Sequence, residues 1–495
     1  MQITTVSKNS TTHLDCIVIF AKKGGGLLPF ASILDKTCGQ AISKAIKNSR
    51  FQGGDQESFS ISAPISEGVS RVVVIGTGDI KESTVDSWRL NGIEAGTVLD
   101  KAGVSGASVL FEEVKDSEHE IAESFIEGMH LAMYRFDRFL TDQKKHQKPA
   151  FKKLVLMLKD EASKEIKKSI KDASALMEGV AITRDLVNLP PNYANPDLMV
   201  ETAKNLKKDK ISVQILGEKE LAKLGMGMLL AVGQGSEQES RLIVMKYNGD
   251  GKAPYKAVVG KGVMFDTGGY DIKPAAGMLH MKADMGGAGA VMGMMKALAK
   301  RKSKVNVIGV CGCVMNMVSA KAFLPSDILT SYKGLTVEVG NTDAEGRLVL
   351  GDALAYIIDK EKPVEVLDIA TLTGAVMMAL GGSYAGIFTE HTNIAKGLKK
   401  AGKYTGENVW RLPVNKKYGS MLKSKIADIG NMADSPWGGA STAAAFLQKF
   451  VGDTPWAHID IAGVAMTEKI GGNIPVSGAG GFGVRLLVNY LENSK

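Results

Sequence analysis

A segment of nine residues, GNTDAEGRL at positions 340–348, carries two carboxylates and a guanidinium at alternate positions. In an extended backbone, Asp343, Glu345 and Arg347 would all point to the same side. Like charges placed so close together are costly unless a positive charge stands between them. The segment therefore raises the question of which cation these carboxylates share.

A second charged stretch, GKGVMFDTGGYDIKP at residues 260–274, is followed by MKADMGG at residues 281–287. Together the two stretches add four candidate site residues: Lys261, Asp266, Lys273 and Asp284. Four carboxylates in one crevice favour divalent cations, since oxygen ligands suit magnesium, manganese or zinc. Two such ions can activate a water molecule, while nearby lysine and arginine stabilise developing negative charge. His280 lies close by and is expected to be a surface or packing residue.

The same residue types also occur in ordinary turns, where Asp, Gly and Lys are common. Two charged clusters that each follow a strand favour a functional site over that explanation. From residue types and spacing alone, the chain is predicted to be a two-metal hydrolase. Phosphoester and peptide substrates both remain open at this point.

Strands and helices are expected to position both clusters. Residues 335–339 alternate like a strand before the first cluster, and residues 348–359 recur at helical spacing behind it. An apolar strand at 257–259 precedes the second cluster, which is expected to enter a glycine-rich loop that contains Lys261. A helix over 287–300 presents its amino end to Asp284. In open α/β sheets ligands bind at the carboxyl ends of strands. We therefore expect the clusters to converge on one rim.

The remaining periodicity predicts an α/β protein, with a smaller N-terminal α/β domain and a C-terminal catalytic domain whose mostly parallel sheet is flanked by helices. Further strands are predicted over residues 14–21, 71–75, 107–111, 153–158, 212–216, 241–246, 305–313, 364–369 and 458–461. Further helices are predicted over residues 85–102, 120–134, 162–187 and 483–491. The predicted organisation is an N-terminal domain at 1–165, a linking helix at 166–190 and a catalytic domain at 191–495.

The composition, with 44% hydrophobic and 23% charged residues, is typical of a soluble globular protein. The 495 residues suggest two or three domains. Four scattered cysteines argue against a disulfide framework, and Cys311 and Cys313 are expected to pack in an apolar strand. The apolar run 16–21 is too short for a signal or membrane segment. We therefore expect a cytoplasmic, reducing setting and no membrane partner.

Two further features could suggest nucleotide or nucleic-acid binding. VIGTG at residues 74–78 begins like a dinucleotide fingerprint, but Lys81 stands where the third glycine is needed, so a tight turn is expected. The net charge of +8 comes largely from lysines at 144–171, which are expected to form a solvated face. Interleaved aromatic residues and a recognisable nucleic-acid module are both missing from the sequence.

The octapeptide NTDAEGRL at 341–348 resembles the signature of the leucine aminopeptidase (cytosol aminopeptidase) family. The stretches at 260–274 and 281–287 match that family's metal-site pattern. Other family-like segments are RDLVNLPP at 184–191, ATLTGA at 370–375 and WAHIDIAG at 456–463. The resemblance runs from about residue 181 to the C-terminus, whereas the N-terminal domain resembles the family only in size and α/β character.

This resemblance implies two divalent metal ions per subunit, manganese or zinc, with magnesium and cobalt as further candidates. It implies the following metal ligands: Asp266 and Glu345 bridging both ions, Lys261 and Asp284 completing one shell, and Asp343 completing the other. Lys261 would bind as a neutral amine. Lys273 and Arg347 would be the catalytic pair, with a bicarbonate beside Arg347 as a proton shuttle. The pocket for the first side chain would be lined by Met281, Thr371, Leu372, Gly374 and Met466.

The activity implied by the resemblance is that of a leucyl aminopeptidase. Such an enzyme releases N-terminal residues, with leucine preferred, from peptides with a free N-terminus by means of a water activated by two metals. The family forms hexamers with the C-terminal domains inward, and a homohexamer is expected here. Asp271, Leu279 and His280 depart from the family pattern and could alter the rim of the pocket.

Three alternatives stay open beside this interpretation. A DNA-binding accessory protein with secondary peptidase activity would use the basic surface, although no motif supports DNA as a partner. A two-metal phosphoesterase would use the same carboxylates. A peptidase specialised for cysteinyl-glycine is also compatible with the sequence.

Overall fold

The computed structural model describes residues 1–7, 14–66, 69–111, 118–142, 151–466, 469–470, 474–475 and 478–494. The chain divides into two compact units, one from Met1–Met177 with Lys469–Pro475 and the other from Glu178–Glu468 with Val476–Lys495. A helix over Lys164–Asn188 contains the first point of division. The domain limits expected at residues 165 and 190 lie within or just beyond this helix, and they stay a prediction.

The first unit is an α/β unit with a mainly parallel sheet. Its strands are β1 (Gln2–Ser7), β2 (Cys16–Lys22), β3 (Gly26–Leu27), β4 (Ser58–Ser66), β5 (Val69–Gly76), β6 (Gly106–Leu110) and β7 (Lys153–Leu158). Its helices are α1 (Pro29–Thr37), α2 (Ala41–Lys47), α3 (Val85–Lys101), α4 (Glu118–Met133) and the first part of α5 (Lys164–Asn188). Among the described residues the strand order is β1-β7-β6-β2-β5-β4, with β3 beside β2. Separate apolar clusters lie on the two sides of this sheet, as the buried strands require.

The second unit contains the remaining elements. Its strands are β8 (Ser212–Leu216), β9 (Arg241–Asn248), β10 (Lys256–Asp266), β11 (Asn306–Asn316), β12 (Ile328–Thr330), β13 (Thr336–Glu338), β14 (Glu365–Ala370), β15 (Ala385–Phe388), β16 (Val409–Arg411), β17 (Ile429–Gly430) and β18 (Trp456–Asp460). Two short strands, β19 (Lys469–Ile470) and β20 (Ile474–Pro475), pair with each other and group with the first unit. The helices are α6 (Pro196–Leu206), α7 (Glu218–Lys223), α8 (Gly227–Gly233), α9 (Ala275–Met278), α10 (Gly286–Arg301), α11 (Gly346–Glu361), α12 (Gly374–Leu380), α13 (Thr392–Thr405), α14 (Lys416–Gly419), α15 (Gly439–Val451) and α16 (Val484–Asn493). Single 3₁₀ turns occur at Lys207–Asp209 and Met281–Ala283.

The main sheet of this unit has the order β16-β15-β18-β14-β10-β11-β9-β8 within the described part of the chain. Its four central strands, β18, β14, β10 and β11, are parallel, and antiparallel strands flank them on both sides. The helices α10 and α11 pack against the central strand β10. The expected fold class, a smaller N-terminal α/β domain followed by a sheet flanked by helices, is confirmed.

The strand before the first charged cluster lies in a different sheet from the one predicted. We expected residues 335–339 to join the main sheet, but β13 pairs only with β12 and β17 among the described residues. It is three residues long, and Thr336 and Glu338 are only half-buried. The strand therefore lacks the continuous apolar surface that a central parallel strand needs.

The second charged cluster begins inside a strand, and the expectation of a loop from residue 260 is wrong. After its pairing with β14 ends at Gly260, β10 continues beside β11 to Asp266, with a register shift after Val263. A Cβ at position 260 would lie 2.7 Å from the backbone of Ala288 in α10. Glycine is needed there because the helix approaches the strand closely, and it does not mark a loop.

No helix in the described ranges is both long and apolar enough to span a membrane.

Candidate active site

Four segments of the second unit meet at the carboxyl end of β10: the strand itself, the loop after it, the turn before α10 and the turn before α11. They bring together the seven ionisable side chains predicted from the sequence: Lys261, Asp266, Lys273, Asp284, Asp343, Glu345 and Arg347. Six of the seven are joined by ion pairs, and the charge of Glu345 acts on the buried Arg347. The predicted convergence is therefore observed, although one contributing strand lies outside the main sheet.

Lys261 projects from β10 into a fully enclosed position. Its Nζ lies 2.7 Å from Asp284 Oδ1 and 2.8 Å from Glu345 Oε1, and it donates a hydrogen bond to the main-chain oxygen of Thr371 at 3.0 Å. Burial lowers the pKa of Lys261, but the charges of Asp284, Glu345 and Asp266 outweigh burial and raise that pKa above its usual value. Beside these carboxylates Lys261 is a cation. That Lys261 binds a metal ion as a neutral amine stays a prediction.

Lys273 forms the second bridge between carboxylates. Its Nζ lies 2.8 Å from Asp266 Oδ2 and also contacts Asp343 Oδ1. Burial lowers the pKa of Lys273, but attraction to Asp266 and Glu345 raises it above the usual value. The side chain is 17% exposed, compared with 3% for Lys261. Lys273 is therefore the lysine of the site that a bound substrate can reach.

The carboxylates of this site fit divalent cations. Asp266, Asp343 and Glu345 can each direct one oxygen to a common point, with these oxygens within 4.8 Å of one another. Asp284 Oδ2 is buried and accepts no hydrogen bond from the described residues. Burial raises the pKa of Asp284 well above its usual value, and burial together with Asp266 raises the pKa of Asp343 to about 7. Carboxylates that are this close together and this deeply buried are stabilised in their charged form by bound cations.

Asp266 is oriented by its neighbours in the sheet. Asn316, at the end of β11, donates from Nδ2 to Asp266 Oδ1 at 2.8 Å and to the main-chain oxygen of Thr342 at 3.1 Å. The main-chain N–H of Gly268 donates to the same Asp266 oxygen at 2.8 Å. Sequence reasoning missed Asn316. An asparagine directly after a long apolar run was the available signal, and Asn316 is fully buried.

Asp271 connects the loop after β10 to the turn before α11. Its Oδ2 accepts a hydrogen bond from the Thr342 N–H at 2.7 Å, and its own N–H donates to Thr342 Oγ1 at 2.9 Å. Thr342 Oγ1 also donates to the main-chain oxygen of Gly268 at 2.6 Å. Gly268 has a φ of +86°, which this tight loop requires. Asp271, expected to affect only the rim of the pocket, thus joins the two segments that carry the carboxylates.

Arg347 lies in the first turn of α11, and Glu345 is the residue before that helix. The segment is the expected turn between a strand and a helix, and the helix begins at Gly346, two residues earlier than expected. The arrangement that an extended backbone would give to Asp343, Glu345 and Arg347 therefore does not apply. Arg347 Nη1 donates to the main-chain oxygen of Asn431 at 2.7 Å, and Nε makes no hydrogen bond within the described residues. Burial lowers the pKa of Arg347 to about 10, despite the opposing effect of Glu345. The guanidinium remains charged at neutral pH.

Two of the expected substrate-pocket residues, Thr371 and Met281, lie next to the carboxylates of the site. Thr371 Oγ1 donates to Asp284 Oδ1 at 2.7 Å, which places the loop after β14 against the carboxylates. Met281 lies in the 3₁₀ turn that leads to Asp284. The lining role of all five residues stays a prediction: Met281, Thr371, Leu372, Gly374 and Met466.

A buried acid missed by sequence reasoning holds this loop in place. Asp460, at the end of β18, accepts hydrogen bonds from the Leu372 N–H at 3.1 Å and from Thr373 Oγ1 at 2.7 Å. Burial raises the pKa of Asp460. Met466, by contrast, forms an isolated bridge with Ala479 farther along the chain.

Comparisons with protein families cover both units of the chain. Residues 181–488 match the catalytic domain of the cytosol aminopeptidase family, and residues 18–143 match the N-terminal domain of that family. The family resemblance thus extends to the N-terminal part, beyond what the sequence motifs had indicated.

Individual relatives match over nearly their whole length. A probable cytosol aminopeptidase of Caulobacter vibrioides is 42% identical over 480 residues, covering 97% of this chain and 96% of the relative. A probable cytosol aminopeptidase of Brucella ovis is 44% identical over 481 residues, covering 96% of this chain and 95% of the relative.

Solved structures show the same fold. A mutant of tomato leucine aminopeptidase matches with a TM-score of 0.89 and 30% identity, covering 100% of this chain and 97% of that chain. The bottromycin maturation enzyme BotP in complex with Mn matches with a TM-score of 0.84 and 27% identity, covering 97% of this chain and 99% of that chain.

Proposed function

The chain belongs to the cytosol aminopeptidase family, and we propose that it is a two-metal enzyme that releases N-terminal residues, leucine among the preferred ones, from peptides with a free N-terminus. One observation carries this proposal. Four carboxylates and two lysines form two neighbouring ion-paired groups at the end of β10, and three of the carboxylates can direct oxygens to one point. This donor set suits divalent cations.

Five side chains would hold the cations. Asp266 and Glu345 would be shared between both ions, Lys261 and Asp284 would complete one shell, and Asp343 the other. The pairings around the two lysines support this division, since Lys261 joins Asp284 to Glu345 while Lys273 joins Asp266 to Asp343. When bound, the ions supply Lewis acidity toward the scissile carbonyl and a water of lowered pKa. Manganese or zinc would fit, and a solved relative is described in complex with Mn.

Lys273 and Arg347 would act on the substrate without binding metal. Lys273 is partly exposed and positively charged, so it can stabilise negative charge that develops on the substrate oxygen. Arg347 is held by the Asn431 main-chain oxygen and keeps Nε without a hydrogen bond among the described residues. Its planar guanidinium could therefore orient a planar anion such as bicarbonate, which would carry protons.

The first side chain of the peptide would lie beside the loop after β14. Thr371 contacts both Asp284 and Lys261, so the pocket formed with Met281, Leu372, Gly374 and Met466 would adjoin the metal ligands. A homohexamer in the cytoplasm is the assembly and location that we expect. The DNA-binding alternative is not taken further, because no observation of the described residues favours it.

Substrate profiling tests the proposed function. The purified protein, loaded with Mn²⁺ or Zn²⁺, is assayed on leucine p-nitroanilide, on its N-acetylated form and on p-nitrophenyl phosphate. We expect hydrolysis of the free-amine anilide only. Activity on the phosphate ester alone would overturn the proposal, and equal activity on the acetylated anilide would contradict the requirement for a free N-terminus. A dipeptide panel that includes cysteinyl-glycine then decides whether leucine is preferred.

A further inference from the structure

Asn431 follows the short strand β17 and is completely buried against the turn that precedes α11. Its Oδ1 accepts hydrogen bonds from the main-chain N–H groups of Gly340 at 2.7 Å and Asn341 at 3.2 Å. Its Nδ2 donates to the main-chain oxygens of Asn341 at 2.8 Å and Ala344 at 3.5 Å. One amide side chain thus contacts both ends of the turn that contains Asp343.

The main chain of Asn431 makes two further connections. Its N–H donates to the main-chain oxygen of Glu338 in β13 at 2.9 Å, and its carbonyl oxygen accepts from Arg347 Nη1 at 2.7 Å. A single residue therefore connects the strand before the turn, the turn itself and the arginine that follows it.

The amide side chain matches this set of contacts, because it offers two lone pairs on its oxygen and two N–H donors. Buried main-chain N–H and C=O groups need partners, and here both kinds face the same side chain. An aspartate would accept from Gly340 and Asn341 but could not donate to the two main-chain oxygens. Alanine would leave all four main-chain hydrogen bonds unmade.

We propose that Asn431 is a positioning residue that fixes Asp343, Glu345 and Arg347 relative to one another. The inference rests on the proposed function for the identity of the bound ions. Groups that orient metal ligands typically change metal affinity or activity by about 10–100-fold when they are removed. Asn431 acts through the turn and does not itself touch a ligand atom.

Asn306 offers a matched control. It is also a buried asparagine, and it donates from Nδ2 to the main-chain oxygens of Gly251 at 3.2 Å and Ala253 at 2.6 Å. Its Oδ1 accepts from the Asp250 N–H at 2.9 Å. It begins β11, whereas the site lies at the other end of that strand. Asn306→Ala therefore removes a comparable set of hydrogen bonds without disturbing the turn before α11.

The test compares the full-length wild type with Asn431→Ala, Asn431→Asp and Asn306→Ala. Equilibrium dialysis of chelator-treated protein against Mn²⁺ measures metal affinity directly, and leucine p-nitroanilide gives kcat and KM. For both Asn431 variants we expect Mn²⁺ binding weakened by about 10-fold or more, and kcat lowered with KM little changed. Asn306→Ala should lose a similar amount of thermal stability but stay within about twofold of wild type in both measurements.

The outcomes separate the inference from the proposed function. If both Asn431 variants bind Mn²⁺ and turn over substrate like Asn306→Ala, Asn431 has only a structural role. If Asn431→Ala does not fold, the isosteric Asn431→Asp alone distinguishes a positioning role from a merely structural one. If the wild type binds Mn²⁺ but hydrolyses no anilide, the proposed function fails, while weaker binding by the variants still supports positioning. A wild type that binds no Mn²⁺ overturns the inference.

Discussion

Gly346, the first residue of α11, leaves open the space that the end of the Lys261 side chain occupies. A Cβ at position 346 would lie 2.5 Å from Lys261 Cε, 2.7 Å from its Nζ and 2.8 Å from its Cδ. Non-bonded carbon atoms are normally about 3.5–4.0 Å apart. Gly346→Ala must therefore displace the end of Lys261 by about 1 Å, since contacts of 2.5 Å are not tolerated.

The displacement should affect function far more than folding. Lys261 Nζ lies 2.7 Å from Asp284 and 2.8 Å from Glu345, so a shift of about 1 Å takes it beyond hydrogen-bond distance of both. A misplacement of about 1 Å in a catalytic site can lower the rate about 100-fold. Loss of the buried hydrogen bonds costs about 1–3 kcal/mol of folding free energy. The higher helix propensity of alanine, up to about 1 kcal/mol, offsets part of this loss.

The assay measures kcat/KM on leucine p-nitroanilide, metal content by elemental analysis, and thermal unfolding by circular dichroism. We expect Gly346→Ala to remain folded, to lose about 100-fold in kcat/KM and to bind one of the two metals more weakly. Gly419→Ala is the control, because its added Cβ would lie 3.6 Å from Lys449 Cε, an ordinary contact. A Gly346→Ala protein with both metals and wild-type kcat/KM would refute the reasoning that Lys261 must occupy its observed position.

Three further predictions follow from the same contacts. Lys273→Ala should retain both metals and lose about 100-fold in kcat, since it removes a charge that stabilises the transition state; an effect confined to KM would make Lys273 a substrate anchor. Lys261→Arg should lose one metal in elemental analysis of the dialysed protein, because arginine does not deprotonate; retention of both ions with full activity would favour an ordinary salt bridge. Asp352, which accepts hydrogen bonds from the Leu229 and Tyr332 N–H groups, has its pKa raised by burial from 3.8 to about 7. The folded state therefore holds this proton more tightly than the unfolded state, and the stabilisation is lost as pH rises from about 4 to about 7. Urea unfolding of chelator-treated protein measures the free energy of unfolding. Relative to Asp352→Asn, the wild-type value should fall as pH rises over this range. A difference between the two proteins that does not change with pH would contradict the assignment.

The sequence was most informative where a pattern depends on neighbouring residues. The apolar residues of β7 and β8 predicted those strands with their observed bounds. The charged clusters were visible from their residue types and spacing, and all their members meet in the structure. Local chemistry and spacing were sufficient for these features.

Features that depend on distant partners could not be predicted in the same way. Nothing near β13 indicates that it pairs with β12 and β17 outside the main sheet. Asn431 contacts a turn about 90 residues earlier in the chain, and its own neighbours give no sign of that contact. Lys261 was assigned to a loop because its flanking glycines suggest a turn, whereas they allow α10 to approach β10. Such contacts are determined by tertiary packing.

The metal content of the wild type and of Glu345→Gln tests most directly the claim that this site holds two bridged divalent ions. Both proteins are treated with chelator, dialysed against Mn²⁺ or Zn²⁺ and analysed for metal per chain, with turnover of leucine p-nitroanilide measured on the same samples. Glu345 is buried, contacts Lys261 and can share a point with Asp266 and Asp343, so its carboxylate would contribute to both ions. We predict two ions per chain for the wild type, and at most one for Glu345→Gln with nearly all activity lost. Two ions and near-normal turnover in Glu345→Gln would contradict the account.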